Sequence, residues 1–309
     1  MSRSGSEPFR LSLTGAARAT SWGRRRGRVR RLFQDVYVEA GAPITPAVLA
    51  RGALLIAAPG SYVSHHTAAR LWGGVVPDTD RTDVTSTKVR LRTTGILGHR
   101  VRGADQVTRL DGIPLTTPIK TFLDLGLYLD LVDLVVLGDS LVKKKRMTVP
   151  QLVRAADLAR GPGSRRAREA AGFVRAGVDS PMESRLRMLI VLAGLPEPVV
   201  NHRIRRVDGS VRWRFDLCFP DVRLIIEYDG RQHADSDEQW HGDIGRREWM
   251  DENSWRIVVV VSNDLYRTPA LTLSRITAAM RARGMVLPRL REDWRRYFPS
   301  RSEDLAHPA

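Results

Sequence analysis

The chain has 309 residues, 42% hydrophobic and 27% charged, which excludes wholesale disorder and predicts two domains of roughly 100–200 residues each. Fifty Lys and Arg against 34 Asp and Glu leave a net charge of +16, which argues against an ordinary acidic enzyme and for a polyanionic partner such as nucleic acid. No run approaches the ~18 uncharged apolar residues of a membrane span, and the lone cysteine, Cys218, excludes an internal disulfide and a cysteine-rich zinc site. The expectation is a cytoplasmic protein in a reducing compartment with no membrane partner. Part of the positive charge is compositional, because Arg far outnumbers Lys and Ala is plentiful, as in GC-rich genomes.

Residues 1–30 read as a basic flexible arm: nine Arg and one acid, Glu7, fall in residues 1–31, and no apolar stretch follows Arg26 to make a secretory signal. Arg24, Arg25, Arg26 and Arg28 are its expected DNA contacts. Residues 31–158 form the first expected domain. It opens on a β-rich patch at Val36–Val38, and Thr45-Pro46 then caps a helix running to about Ala57. Pro59-Gly60-Ser61 breaks that helix, and Ser64 caps a second one that ends at Gly73-Gly74. Two short helices around a Gly-containing break suggest a helix-turn-helix or winged-helix unit. His65 and His66 have no partners at ligand spacing, so they read as residues of a capped helix. Val84–Arg92 alternates as a strand does, and Thr117-Pro118 opens one long apolar-periodic helix through Val142. The run Lys143, Lys144, Lys145 and Arg146 follows, a solvated helix end or a DNA contact.

Residues 159–179, opening on Ala159–Arg168 with two Gly, one Pro and four Arg, read as a linker or as an exposed loop that opens a helix. The second domain, 180–284, shows a helix over Ser180–Ala193 and strands at Val199–Arg206, Val211–Phe219 and Val222–Asp229, with turns at Asp208-Gly209 and Pro220-Asp221. A polar helix over Asp237–Glu252, a buried strand over Trp255–Ser262 and a helix over Pro269–Arg283 complete it. The order α-β-β-β-α-β-α implies an α/β fold, a mixed sheet flanked by helices. Residues 285–309 read as a charged, proline-containing tail.

The chemistry concentrates in FDLCFPDVRLIIEYDGRQH, Phe215–His233. Glu227 and Asp229 stand two apart on one strand and so leave the same face, and Asp216 sits on the strand before the turn. Carboxylates interrupting apolar strands repel one another and lose water, an arrangement that a divalent cation relieves. Carboxylate and water oxygens suit Mg2+, or Mn2+ in its place, so Asp216, Glu227 and Asp229 are the candidate metal ligands. A cation held there activates water and stabilises charge on a displaced phosphate. Gly230 lets the chain turn, returning His233 towards the acids as a ligand or general acid/base. Glu183, early in the preceding helix, either completes the cluster or is a first-turn acid favoured by the helix dipole. Arg246 fits a salt bridge with Asp243, a salt bridge with an acid of the site, or a phosphate contact, and Arg231 is a further expected DNA contact. Solvated turn acids are the bland alternative for the carboxylates.

The segments ESRLRMLI, RFDLCFPDVRLIIEYDGRQH and DIGRREWMDENSWRIVVVV resemble the restriction-endonuclease-like fold, whose pattern is an acid, a gap, then acid-x-lysine on the next strand. More narrowly they are similar to bacterial domains related to the very short patch repair endonucleases. The resemblance covers about residues 180–284 and implies catalytic roles for Glu183, Asp216, Glu227, Asp229 and His233. Asp229 stands where the superfamily has lysine; the subfamily run acid-x-Asp-Gly-x-x-His matches Glu227, Asp229, Gly230 and His233. In the first domain, RRLFQDVYV, SHHTAARLWG and GIPLTTPIKTFLDL resemble the antitoxin-type winged-helix regulators of abortive-infection systems, which implies DNA binding. The expected function is metal-dependent hydrolysis of phosphodiester bonds in double-stranded DNA. The alternative, motivated by the missing lysine, is a DNA-binding regulator or antitoxin-like protein whose nuclease fold no longer cuts.

Overall fold

A computed structural model describes residues 7–10, 29–101, 105–230 and 237–299, with side chains from 245 onward in the last span. Arg24, Arg25, Arg26, Arg28, Arg231 and His233 lie outside the described residues. The protein is of the mixed α/β class, and its chain divides into two compact units, residues 1–129 with 144–172 and residues 130–143 with 173–309.

In the first unit, β1 (Phe9–Arg10), β2 (Val29–Phe33) and β3 (Val36–Glu39) form a small antiparallel sheet in the order β1-β3-β2. Helix α1 (Pro46–Ile56) starts where the sequence predicts, because the Thr45 hydroxyl accepts from Val48 N at 3.3 Å and Pro46 occupies the first turn. It packs Ala53 against Phe33, Val36 and Val84. After β4 (Tyr62–Val63) comes the short helix α2 (His65–Leu71), and then β5 (Thr82–Ser86), β6 (Arg92–Thr93), β7 (Ile96–Arg100), β8 (Val107–Leu110) and β9 (Ile113–Thr116). Together with β4 these strands make a six-stranded mixed sheet, ordered β6-β7-β5-β4-β9-β8.

The single long helix expected after Thr117 is two helices. Helix α3 (Pro118–Leu125) stops at Gly126, and Asp130 caps a new one by accepting Asp133 N at 2.8 Å. That second helix, α4 (Leu131–Lys143), belongs to the other compact unit, so the boundaries 31–158 and 180–284 do not coincide with the division by compactness. Of the two readings for 159–179, the chain takes the loop that opens a helix. After α5 (Val149–Leu158), helix α6 (Ser164–Phe173) buries Ala167, Ala170 and Ala171. Gly163, at φ +82°, lies so close to the chain after α3 that a Cβ there would stand 2.5 Å from Leu127 N. Gly163 serves close backbone approach here, and the local sequence pattern does not distinguish that from a hinge.

In the second unit, α7 (Pro181–Leu192) is capped by Ser180, whose hydroxyl accepts Glu183 N at 3.1 Å, and it buries Leu186, Met188, Leu189 and Ile190. Strands β10 (Val199–Arg205), β11 (Val211–Phe219), β12 (Leu224–Tyr228) and β13 (Arg256–Val260) form one sheet in sequence order. The first three are antiparallel; β13 joins β12 in parallel, through the crossover helix α8 (Asp237–Glu252). Leu224, Ile225 and Ile226 are fully buried on β12, each contributing about 1.5–3 kcal/mol by leaving water. Met250 and Trp249 of α8 pack with Phe215, Cys218, Ile225 and Ile257. Helices α9 (Ser262–Tyr266) and α10 (Pro269–Ala282) follow. The segment read as a tail folds back as far as it is described: Trp294 and Phe298 are buried, and Arg291 N donates to Ala193 O at 2.9 Å. No helix among the described residues is long and apolar enough to cross a membrane.

Candidate functional site

Asp216 of β11 and Glu227 of β12 meet through the sheet register. Leu217 pairs with Ile226, so one more antiparallel step sets Asp216 opposite Glu227 on a shared face. Both line an open cleft of about 450 Å3, together with Asp229, Arg214, Arg246 and Arg247. The structure therefore brings the three strand acids to one hollow and rims it with guanidinium groups. Asp216 is held between a buried wall and a like charge: desolvation, then Glu227, push its carboxyl up to about 6. Tyr228 N donates to Asp216 Oδ2 at 3.3 Å and partly offsets that rise. Glu183 is almost wholly buried, accepts Asp179 N at 2.9 Å, and is also raised, first by burial and further by the charge of Asp216. It thus lies within electrostatic reach of the cluster while serving as a first-turn acid of α7.

Among the described residues, Arg246 makes the second of its expected contacts, with an acid of the site; the Asp243 side chain lies outside the described residues. The Arg246 guanidinium pairs with Glu227 and covers the Phe215 ring at 4.9 Å from the centroid. Asp229 caps the end of β12, where its N–H donates to Val260 O at 2.9 Å. The three acids do not gather one oxygen each within 4.8 Å of one another; among the described residues, one group of His, Asp, Glu or Cys does so, and it lies elsewhere. Lys143 ends α4 and approaches Asp179 Oδ1 at 3.6 Å, while Lys144 and Lys145 are exposed in the turn that follows. Arg214 and Arg247, absent from the sequence expectations, belong to the cleft. The signal for Arg214 was its position two residues before Asp216 on the same strand face. It pairs with Asp179 Oδ2 at 2.8 Å. Cys218 is buried beside this face, its thiol pushed up to about 12 by burial and by Glu227.

The other group is in the first unit. His65, Asp83 and His99 bring one ligand atom each within 4.8 Å of one another. Sequence reasoning missed it because Asp83 and His99 reach His65 from strands β5 and β7, at separations that no linear spacing reveals. Ser64, expected to cap α2, makes no side-chain cap bond; its hydroxyl instead meets His65 Nδ1 at 2.8 Å and Thr85 Oγ1 at 2.7 Å. Burial, then the neighbouring His99, drive the His65 imidazole down to about 2.

No protein-family model matches the chain. It is similar to two uncharacterized proteins of Mycobacterium tuberculosis, MT2308 of strain CDC 1551 / Oshkosh and Rv2248 of strain ATCC 25618 / H37Rv. Each is 29% identical over 212 residues, spanning 68% of this chain and 78% of the relative.

Proposed function

We propose that the second unit is a metal-dependent DNA endonuclease domain of the restriction-endonuclease-like type, and that the first unit is a winged-helix-like domain that helps hold the duplex. One observation carries the reading: two carboxylates on adjacent strands, Asp216 and Glu227, share an arginine-rimmed cleft in which burial and mutual repulsion hold Asp216 up to about 6. Burial with a like charge beside an open cleft is the setting in which a carboxylate serves a ligand.

The donors are oxygens, as a hard dication such as Mg2+ or Mn2+ prefers, and Asp216, Glu227 and Asp229 would hold it after their side chains draw together. The ion would supply Lewis-acid stabilisation of charge on the phosphate oxygens. Arg214 and Arg247 would bind phosphate oxygens of the nucleic acid and set the scissile bond over the carboxylates. Arg246 would keep Glu227 oriented. The reaction is hydrolysis: water adds at phosphorus, one P–O ester bond breaks, and the proton passes to the leaving oxygen. Plasmid nicking in Mg2+ or Mn2+ tests this. The wild-type chain should nick, and Asp216→Asn should lose at least ~1,000-fold, as expected when several kcal/mol of charge stabilisation are removed. Equal cleavage by both removes the assignment.

A second reading is favoured by the Arg246–Glu227 pair, which occupies a carboxylate the metal would need. On that reading the domain binds DNA as a regulator without cutting. Salt-dependent duplex binding with no Mn2+ affinity would support it.

A further inference from the structure

We infer that His65, His99 and Asp83 of the first unit form a second metal site, one for a divalent transition ion of the Zn2+ class. The inference is independent of the nuclease reading and concerns a different fold unit. Two imidazoles and one carboxylate are the mixed nitrogen and oxygen donor set that such ions prefer, in contrast to the all-oxygen cleft around Asp216.

Four features of the geometry carry it. The first is convergence: one atom from each of the three side chains falls within 4.8 Å of the others, from three separate elements. Bonds of about 2.0–2.1 Å hold tetrahedral ligands roughly 3.3 Å apart, so rotation of the side chains by about an ångström closes the set. The second is the charge on Asp83. It is 1% exposed, and its ion-pair partners among the described residues are both imidazoles: His99 Nε2 at 2.8 Å and His66 Nδ1 at 3.8 Å. No guanidinium or ammonium group meets this carboxylate among those pairs, and a dication would.

The third feature is the outer support. The Ser64 hydroxyl holds His65 Nδ1 and is itself held by Thr85. This fixes the ring and leaves its Nε2 for a ligand, as the hydrogen-bonded second nitrogen of a metal-bound histidine commonly does. His65 stacks on His99 with ring centroids 3.8 Å apart and planes 16° from parallel, so the rings must turn out of the stack for their in-plane lone pairs to meet at one ion. The backbone of His65 is held at φ +49°, a conformation a non-glycine residue adopts at a cost. The fourth feature is access. His65 and His99 line an open pocket of about 370 Å3, whose wall also carries Arg90, Arg100 and Lys120, the last paired with Asp105 and Asp124. Three protein donors leave a coordination position open to that pocket, suited to water.

The test uses the full chain, stripped with chelator and titrated with Zn2+ by calorimetry. One equivalent should bind to the wild type, and Asp216→Asn should retain it. His99→Gln and His65→Asn should each weaken it by more than about 100-fold, because loss of a direct ligand exceeds the ~10–100-fold of a lost supporting hydrogen bond. Asparagine suits position 65 because it tolerates positive φ. Ser64→Ala should fall inside that ~10–100-fold range. Absence of a Zn2+ equivalent in the wild type, or unchanged affinity in His99→Gln and His65→Asn, overturns the inference. Should either variant unfold by circular dichroism, Co2+ added to the wild type decides instead. Visible d–d bands displaced by Zn2+ support the site, and a spectrum equal to that of free aqueous Co2+ overturns it.

Discussion

Two carboxylate clusters in the second unit differ in how their charge is met. Asp139 of α4 is 2% exposed and accepts from Arg187 Nη2 at 2.9 Å, Ser184 Oγ at 2.7 Å and Arg175 N at 2.7 Å. Arg187, itself fully buried, also reaches Glu197 Oε1 at 3.0 Å. Burial raises the carboxyl of Asp139 as it raises that of Asp216, but every other influence on Asp139 is a donor that lowers it. Asp216 is also lowered by a backbone donor and by the charges of Arg246 and Arg214, but an adjacent carboxylate raises it and an open cleft lies before it. The lesson is that burial alone does not single out a candidate functional acid; burial with a like charge and solvent access does.

The largest predicted effect is at the satisfied cluster. Arg187→Leu should cost about 3–5 kcal/mol, because it leaves Asp139 buried without its cation. Urea unfolding should show it, while nicking per folded molecule stays at the wild-type level; a loss below 1 kcal/mol would break the contrast.

Asp216→Asn should act in the opposite direction on stability. The Asp216 carboxyl sits at about 6 against an ordinary value of 3.8, so the native state holds the proton more tightly than the unfolded chain does. The wild type is therefore penalised fully above about pH 7 and not at all below about pH 3. In metal-free buffer the variant should be more stable by about 1–2 kcal/mol at pH 8, and the gap should close as pH falls. A pH-independent difference would sink this account. The same ionisation predicts that Mn2+ binding to the cleft strengthens as pH rises through about 6.

The smallest effect sharpens the role of Glu227. Arg246→Gln should cost only about 1 kcal/mol, as expected for a partly exposed pair. It should tighten Mn2+ binding, since the ion no longer competes with the guanidinium for Glu227. Unchanged affinity would mean that Glu227 lies outside the cation's reach.

Much of the second unit was legible in the sequence because its signals are local. Ser180-Pro181 starts α7, Asp208-Gly209 and Pro220-Asp221 turn the chain between strands, and the two-residue period of β12 puts Glu227 and Asp229 at one end of one strand. Asp216 was read correctly as their neighbour because a tight turn fixes the register. What the sequence hid depends on distance along the chain. Gly126 and Asp130 divide a continuous helical period between two compact units, a division set by which core each half joins. Gly161-Pro162-Gly163 carries the composition of a linker, yet Gly163 is required for contact with Leu127. His65 finds Asp83 and His99 only after β5 and β7 pair in parallel, with Thr85 in register with His99. Metal spacing rules assume ligands close in sequence, and this group has none of that spacing.

The most direct test of the central proposal, that Asp216 and Glu227 seat a dication in competition with Arg246, is calorimetric titration of the full metal-free chain with Mn2+ at pH 8. The account predicts binding that Asp216→Asn abolishes and His99→Gln leaves at the cleft. Identical Mn2+ binding by the wild type and Asp216→Asn would contradict it.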